Sequence, residues 1–287
     1  MKKIIIKSPA KINLYLEIIN KRPDGYHNIK TVFERISLCD RVTISIIPEN
    51  KIEVLCSNPD VPSDKTNLAF KAAQLLKEGL SIRSGIRIKI EKNIPVAAGL
   101  GGGSSNAASV LLGLNRLLQL KLDKKSMVKY ASRLGADVAF FVNEEPFALG
   151  TKRGDVIKPL QIKNSFWHVL AVPKITVSTR EIYESYRKDL RLTKQQFNIK
   201  ILSSALTRGD IPLLGRLIYN DLEAVTTKRY KRVAKILGIL KQFGVASCMS
   251  GSGPSVFVVA ADRDEAERIA GSLYRLKDIN IFVVRTY

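Results

Sequence analysis

Residues 95–115 read PVAAGLGGGSSNAASVLLGLN: four glycines fall within the five positions from Gly99 to Gly103, two serines follow, and a long apolar run comes next. Glycine loses more backbone freedom on folding than any other residue, so such a cluster ahead of a helix needs a structural reason. One reason is a tight turn that lets a strand pack closely on a helix. The other is an anion cradle, in which bare backbone N–H groups face a phosphate and the helix N-terminus adds partial positive charge. Spacing removes two familiar versions of the cradle. A Walker A loop needs a lysine at the helix entry, and none stands there. A dinucleotide fingerprint needs glycine at its sixth position, which is Ser104 counted from Gly99 and Asn106 counted from Gly101. What remains is Pro95, Val96, Ala97, Ala98, Gly99, Leu100, Gly101, Gly102 and Gly103, then Ser104 and Ser105, whose hydroxyls can cap the helix or bond phosphate oxygens. A loop that only packed would need one or two of these glycines, so the pattern favours the cradle.

Around the loop the chain reads as mixed strands and helices. Ile- and Val-rich runs predict strands at Lys2–Lys7, Ile12–Ile19, Arg41–Ile47, Lys51–Cys56 and Ile86–Glu91. Helices are expected over Thr66–Glu78, with Asn67 or Thr66 at its start, over about Ser104–Leu120, and over Lys124–Leu134, ended by Gly135. PFALGTKRGDVIKPL reads as two strands around a turn, SFWHVLAVP as a buried strand, Ser178–Arg187 as a helix, and 198–243 as mainly helical. The end returns to strand, helix and strand at Val256–Ala260, Asp264–Leu276 and Ile281–Arg285. The pattern changes near residues 155–165, which suggests two domains, 1–160 and 161–287. Without strict alternation of strand and helix, the class is α+β rather than a doubly wound sheet.

Composition narrows the setting. The three cysteines are far apart with no C-x-x-C pair, and there are only two histidines, so neither a disulfide framework nor a protein-held metal centre is expected. Lys7 and Lys11 interrupt the apolar N-terminus too early for a signal peptide. No run approaches the ~20 apolar residues of a membrane span, so a cytoplasmic protein is expected. The net charge of +21 points to an anionic partner, whether nucleic acid, a membrane surface or a polyanionic small molecule. Its densest stretch, KRYKRVAKILGILK at 228–241, reads as a solvated helix: Lys228, Arg232 and Lys235 share one face, and Val233, Ile236, Leu237 and Leu240 share another.

Two charged residues stand in apolar company. Asp137 is the lone charge in LGADVAFFV, and a buried carboxylate must be paired or used; a helix N-cap is the structural alternative. Lys11 lies between Ala10 and Ile12 in a strand, where a lysine can simply snorkel to the surface. Asp24-Gly25 signals a turn that presents Tyr26 and His27 from a loop.

The glycine loop resembles the ATP-phosphate loop of the GHMP kinases. SPAKINL (Ser8–Leu14) is similar to the first motif of that family and MSGSGPSVF (Met249–Phe257) to its third, so the resemblance spans essentially the whole chain. It implies a two-domain α+β fold, with an N-terminal domain like domain 2 of ribosomal protein S5 and a ferredoxin-like C-terminal domain, and ATP and substrate meeting between them. The segments RPDGYHNIKTVF, LGADVAFF and NDLEAV, with SSNAA after the glycines, resemble the branch whose acceptor is a cytidine diphosphate ester of the non-mevalonate isoprenoid route. By that resemblance Asp137 is the general base and Lys11 faces it, keeping it ionised; such a base contributes ~10²–10⁴ in rate. Residues 95–105 hold the ATP phosphates, Lys92 and Val96 lie near the adenine, and Asn67 and Leu68 sit on the facing helix. Tyr26 stacks on the cytosine, His27 bonds its edge, Tyr183 supplies the opposite aromatic near Thr179, and Asn13 lies beside the methylerythritol. Gly251 and Gly253 let the second domain approach the substrate, although from the residues alone they read as an ordinary hairpin turn. Mg²⁺ is implied, held mainly through ATP phosphates.

The sequence departs from the family at two places. Ala139 replaces a usual proline, which should loosen the turn at Asp137, and Lys152-Arg153-Gly154-Asp155 replaces Gly-x-Gly-Glu, adding charge near a diphosphate or altering a hairpin. Partners are expected to be small molecules, with no nucleic acid and no membrane, for a monomer or homodimer. The alternatives are a mevalonate- or homoserine-type kinase, which would have no base to stack on Tyr26, and an RNA-binding protein with an S5-like domain, which would leave the glycine loop without a task.

Overall fold

A computed structural model of the chain describes residues 2–186, 198–243 and 246–287. Its frame is a long antiparallel hairpin, β1 (Lys3–Lys21) and β2 (His27–Ile47), turned at Asp24-Gly25. The sequence reading broke this hairpin into short strands because β1 alternates only at its start. There exposed Lys3, Ile5 and Lys7 face away from Ile4 and Ile6, whereas Ser8–Leu16 is buried on both faces. A strand covered on both sides loses the period-2 signal. Register shifts at Pro9/Ala10, Asn13/Tyr15 and Ile18/Asn20 mark bulges, which re-aim side chains along the hairpin.

Strands β3 (Ile52–Cys56) and β4 (Gly85–Glu91) extend the first sheet on one side of the hairpin, and β5 (Phe147–Thr151) and β6 (Val156–Pro159) extend it from β2. Four helices cover one face: α1 (Leu68–Gly79), α2 (Gly102–Leu117), α3 (Lys124–Leu134) and α4 (Ala136–Val142). Their apolar sides, with Leu76, Leu111, Leu114 and Phe140 fully buried, pack on Ile44, Ile86 and Ile88 of the sheet. Truncating any of these to alanine would cost ~2–5 kcal/mol.

The second sheet is antiparallel, in the order β11 (Ile279–Arg285), β7 (Trp167–Pro173), β10 (Val256–Ala260), β9 (Ser247–Met249). It is joined by α5 (Thr179–Ser185), α6 (Ile199–Arg208), α7 (Ile211–Leu217), α8 (Glu223–Arg229), α9 (Lys231–Phe243) and α10 (Arg263–Leu273). The basic stretch 228–241 divides at Tyr230 between α8 and α9, and α9 buries Val233, Ile236, Leu237 and Leu240, the face its spacing assigned. The Arg187 end of the expected 178–187 helix lies outside the described residues.

The two halves interlock. Within the mainly helical stretch 198–243, residues 219–220 form a short strand, β8, parallel to β1 (Tyr15↔Tyr219, Leu16↔Asn220). Ile12, Leu14 and Phe147 share one core with Leu170, Leu202 and Phe257. His168 Nε2 lies 2.9 Å from Glu34 Oε1, both side chains buried. No helix among the described residues is long and apolar enough to cross a membrane.

Candidate active site

The glycine loop bridges β4 and α2, and its carbonyls are held from two sides. Lys11 N–H donates to Leu100 O (3.0 Å) from β1. From the turn between β9 and β10, Ser255 Oγ donates to Ala98 O (2.5 Å) and Ser250 Oγ to Gly99 O (3.2 Å). Gly99 adopts φ +74°, and a Cβ there would collide with the Ser250 carbonyl, so this position needs glycine for both conformation and space. The motif at 249–257 is therefore a hairpin turn that also clamps the loop.

Helix α2 begins at Gly102, two residues earlier than expected, with Gly101 as its left-handed cap and no side-chain capping bond. The expectation that Ser104 or Ser105 caps this helix is thereby corrected: both lie inside the first turns. The first-turn N–H groups of Gly102, Gly103 and Ser104 have no intrahelical acceptor, and Gly101 has no side chain to offer one. They stand at the wall of a cleft, in the arrangement that suits an anion.

That cleft has a volume of about 1050 Å³ and runs between the two halves of the chain. It is lined by Pro95 through Ser104 without a break, and by Lys92, Asn67 and Leu68 at one end. Lys11, Asn13 and Asp137 line its middle, with Tyr26, His27, Thr179, Tyr183 and Gly251 completing the wall. Two expected residues do not line it. Ser105 is buried under the loop, where it accepts a bond from Ser8 Oγ (2.8 Å), and Gly253 folds back inside its own turn, donating to Ser250 O (3.0 Å).

Lys11 does not snorkel. It lies in the doubly covered part of β1, and its ammonium donates to Asn13 Oδ1 (2.6 Å) and stands 3.6 Å from Asp137 Oδ2. Asn13 is itself fixed, donating to Thr31 Oγ1 (2.7 Å), which donates to Tyr15 O (2.7 Å). Asp137 is not the N-cap of its helix: Gly135 holds that place and Asp137 sits in the first turn of α4. Nor is it fully buried, since 32% of its side chain is exposed, toward the cleft. Ala139 continues α4 as a buried helical residue, so no loosened turn is seen there.

At the far end, His27 opens β2 rather than standing in the loop, and its ring lies 5.4 Å from that of Tyr183. Burial, then the nearby Lys21 charge, pulls the His27 imidazole below its ordinary 6.5. Burial, followed by the charges of Asp137 and Asp221, pushes the Tyr183 phenol well above its usual value. Tyr26 is exposed, with the Arg153 guanidinium 5.6 Å from its ring centre; Arg153 is braced by Asp155 at 2.7 Å. Thr179 Oγ1 bonds Ser252 Oγ (2.9 Å). Asn67 is the N-cap of α1: its side chain accepts from Ala69 N–H (2.8 Å) and donates to Pro62 O (2.6 Å).

Sequence reasoning missed Thr31 and Ser250 as supports of the site. Both fall inside segments that the motifs had marked, but only the strand register around Thr31 and the hydrogen bonds of the turn at Ser250 show which of their residues point inward. Among the described residues no cluster of three or more His, Cys, Asp or Glu could hold a metal ion.

Two family models match the chain, GHMP kinases N terminal domain over residues 67–145 and GHMP kinases C terminal over 202–277. The chain is 44% identical over 286 residues to a 4-diphosphocytidyl-2-C-methyl-D-erythritol kinase of Geobacillus kaustophilus, covering 99% of this chain and 97% of that protein. A solved 4-(cytidine 5'-diphospho)-2C-methyl-D-erythritol kinase superposes with a TM-score of 0.83 at 31% identity, over 99% of this chain and all of the other. A homoserine kinase from Cytophaga hutchinsonii shares the fold, with a TM-score of 0.74 at 17% identity over all of this chain and 95% of that one. The chain belongs to the GHMP kinase family, whose two domains it carries in order, and groups there with the 4-diphosphocytidyl-2-C-methyl-D-erythritol kinases.

Proposed function

We propose that the chain transfers the γ-phosphoryl group of ATP to the 2-hydroxyl of 4-diphosphocytidyl-2-C-methyl-D-erythritol, with residues 1–160 and 161–287 as the two domains around the cleft. The observation that carries this reading is one cleft in which the uncapped start of α2 and the Lys11–Asp137 pair open side by side. Gly99 and Gly101 let the loop pack on Ser250 and Phe141, and that packing sets the free first-turn N–H groups of α2 at the wall of the cleft, where they suit a polyphosphate. ATP, with Mg²⁺ on its phosphates, supplies the transferable group and its charge neutralisation. The chain's own contribution is position and charge.

Residues 95–104 and the first-turn N–H groups of α2 hold the phosphates, with Val96 and Leu68 toward the base. Asp137 takes up the proton of the acceptor hydroxyl at a carboxylate oxygen. Lys11, fixed by Asn13, favours the developing alkoxide beside it. Tyr26 and Tyr183 offer faces for a cytosine ring, worth ~1–3 kcal/mol per stacked base. Burial and the Lys21 charge favour the neutral form of His27, which offers one donor and one acceptor to the base edge. The three cysteines are free thiols, which suits a reducing cytoplasm.

The test is ADP release from Mg-ATP with the cytidyl substrate, beside mevalonate and homoserine, for the wild type and Asp137→Asn. Release with the cytidyl substrate alone, lost in the variant, supports the proposal. Release with another alcohol refutes the acceptor, and release undiminished in the variant refutes the base.

A further inference from the structure

Beneath the glycine loop lies a buried ion pair that takes no part in the chemistry just described. Asp40 of β2 stands opposite Ser8, one residue beyond the last β2–β4 pair, Arg41↔Glu91, and so meets the stem of the loop at residues 92–94. It is 1% exposed, and its carboxylate accepts four hydrogen bonds. Oδ1 takes the backbone N–H groups of Asn93 (2.7 Å) and Ile94 (2.8 Å). Oδ2 takes the Lys92 ammonium (2.8 Å) and the Asn106 side-chain amide (2.9 Å). Asn106 belongs to the second turn of α2 and also donates to Ser8 Oγ (3.0 Å). One carboxylate therefore ties the strand side of the loop to its helix side.

Lys92 completes the tie. Its ammonium also donates to Ile94 O, and a Cβ at Gly102 would lie 3.0 Å from it, so the charge sits directly under the first residue of α2. Burial lowers the Lys92 pKa, and the Asp40 charge and hydrogen bond oppose that shift. A buried ion pair is a poor source of stability, because apolar side chains of the same volume often do as well. Its worth lies in fixing one arrangement. Lys92 was expected beside an adenine, yet its ammonium is committed here, to the loop.

We propose that Asp40 is the positioning residue of the nucleotide half of the cleft, acting through Lys92, the 93–94 backbone and Asn106 to hold the glycine loop open before a nucleotide arrives. This rests on reading the loop as the nucleotide phosphate site. Asp40 touches no substrate itself.

The test uses the full-length protein and three measurements: Mg-ADP affinity by calorimetric titration without acceptor, KM for the cytidyl acceptor, and Tm. In Asp40→Asn, Mg-ADP binding is expected to weaken at least tenfold, while the acceptor KM stays within twofold. Asp40→Asn combined with Lys92→Met removes the unpaired ammonium, so Tm should recover relative to Asp40→Asn while nucleotide affinity stays low. If Asp40→Asn does not fold, Asn106→Ala severs only the helix branch and should still weaken Mg-ADP three- to tenfold. Wild-type affinity in these folded variants, or affinity that recovers in step with Tm, overturns the proposal. A wild-type protein that binds no Mg-ADP overturns it together with the reading of the loop.

Discussion

Replacing Lys11 by methionine keeps most of the side-chain volume in the doubly covered strand and removes one charge. At the observed 3.6 Å from Asp137 Oδ2, two unit charges interact by about 4.6 kcal/mol at an effective dielectric of ~20 and about 1.2 kcal/mol in bulk water. Asp137 is 32% exposed, which draws the value toward the lower end. We take about 2 kcal/mol, a factor of ~30 in kcat. The change also strips Asn13 Oδ1 of its donor at 2.6 Å. A lost charge-assisted bond adds ~1 kcal/mol, so the expected fall in kcat is about 30- to 160-fold. The assay is steady-state ADP release for Lys11→Met, Asp137→Asn and the double variant, with Tm checked for each. If the two groups act as a unit, the double variant is about as slow as Asp137→Asn alone, a coupling of about 2 kcal/mol. Losses that multiply, with coupling under about 0.5 kcal/mol, would refute the pairing as the source of the effect.

Two further perturbations test the loop and the base end of the cleft. Gly99→Ala places a Cβ at φ +74° against the Ser250 carbonyl, so it should cost about 1–3 kcal/mol in thermal unfolding and raise the KM for ATP; an unchanged Tm would contradict the clamp between the loop and the 250–255 turn. His27 has a folded pKa below its ordinary 6.5, so the neutral ring, and whatever stability that shift contributes, is present above 6.5 and is lost as pH falls through the lowered value. The cytidyl acceptor should accordingly bind more weakly on acidification, with the acidic limb of kcat/KM moved to lower pH in His27→Gln, where only the general base remains to titrate; an identical limb in that variant would assign it elsewhere.

Much of the site could be read from composition, because its chemistry forbids ordinary residues. Only glycine tolerates the contacts at Gly99, and a lone aspartate in LGADVAFFV stands out against apolar neighbours. The amphipathic spacing of 228–241 named the buried face of α9, since a helix on a core must present that stripe. What escaped depends on long-range pairing. Asp40 looks like any surface aspartate in LCDRV until the bulge at Pro9/Ala10 and the end of β4 bring residues 92–94 to it. Thr31 fell in a motif segment for which no strand was expected, and β8 is too short to show a period at all. From its neighbours alone Lys11 misled in the opposite sense: lysines in strands usually reach water, but here its stem packs beside Gly101 and its ammonium lies over the Phe33 ring, which closes that route. Asp137 seemed a buried charge because its neighbours are apolar, and residues 138–142 are indeed all buried, yet Asp137 stands in the first turn of α4, where its side chain opens on the cleft.

The central claim is that phosphoryl transfer to a cytidyl acceptor occurs in this cleft. The most direct measurement is phosphorus NMR of a reaction holding the protein, Mg-ATP and 4-diphosphocytidyl-2-C-methyl-D-erythritol. The account predicts a new phosphomonoester resonance growing in step with ADP, with the diphosphate signals of the acceptor intact and no growth with Asp137→Asn. Inorganic phosphate in its place, or a phosphomonoester formed as fast by the variant, would contradict it.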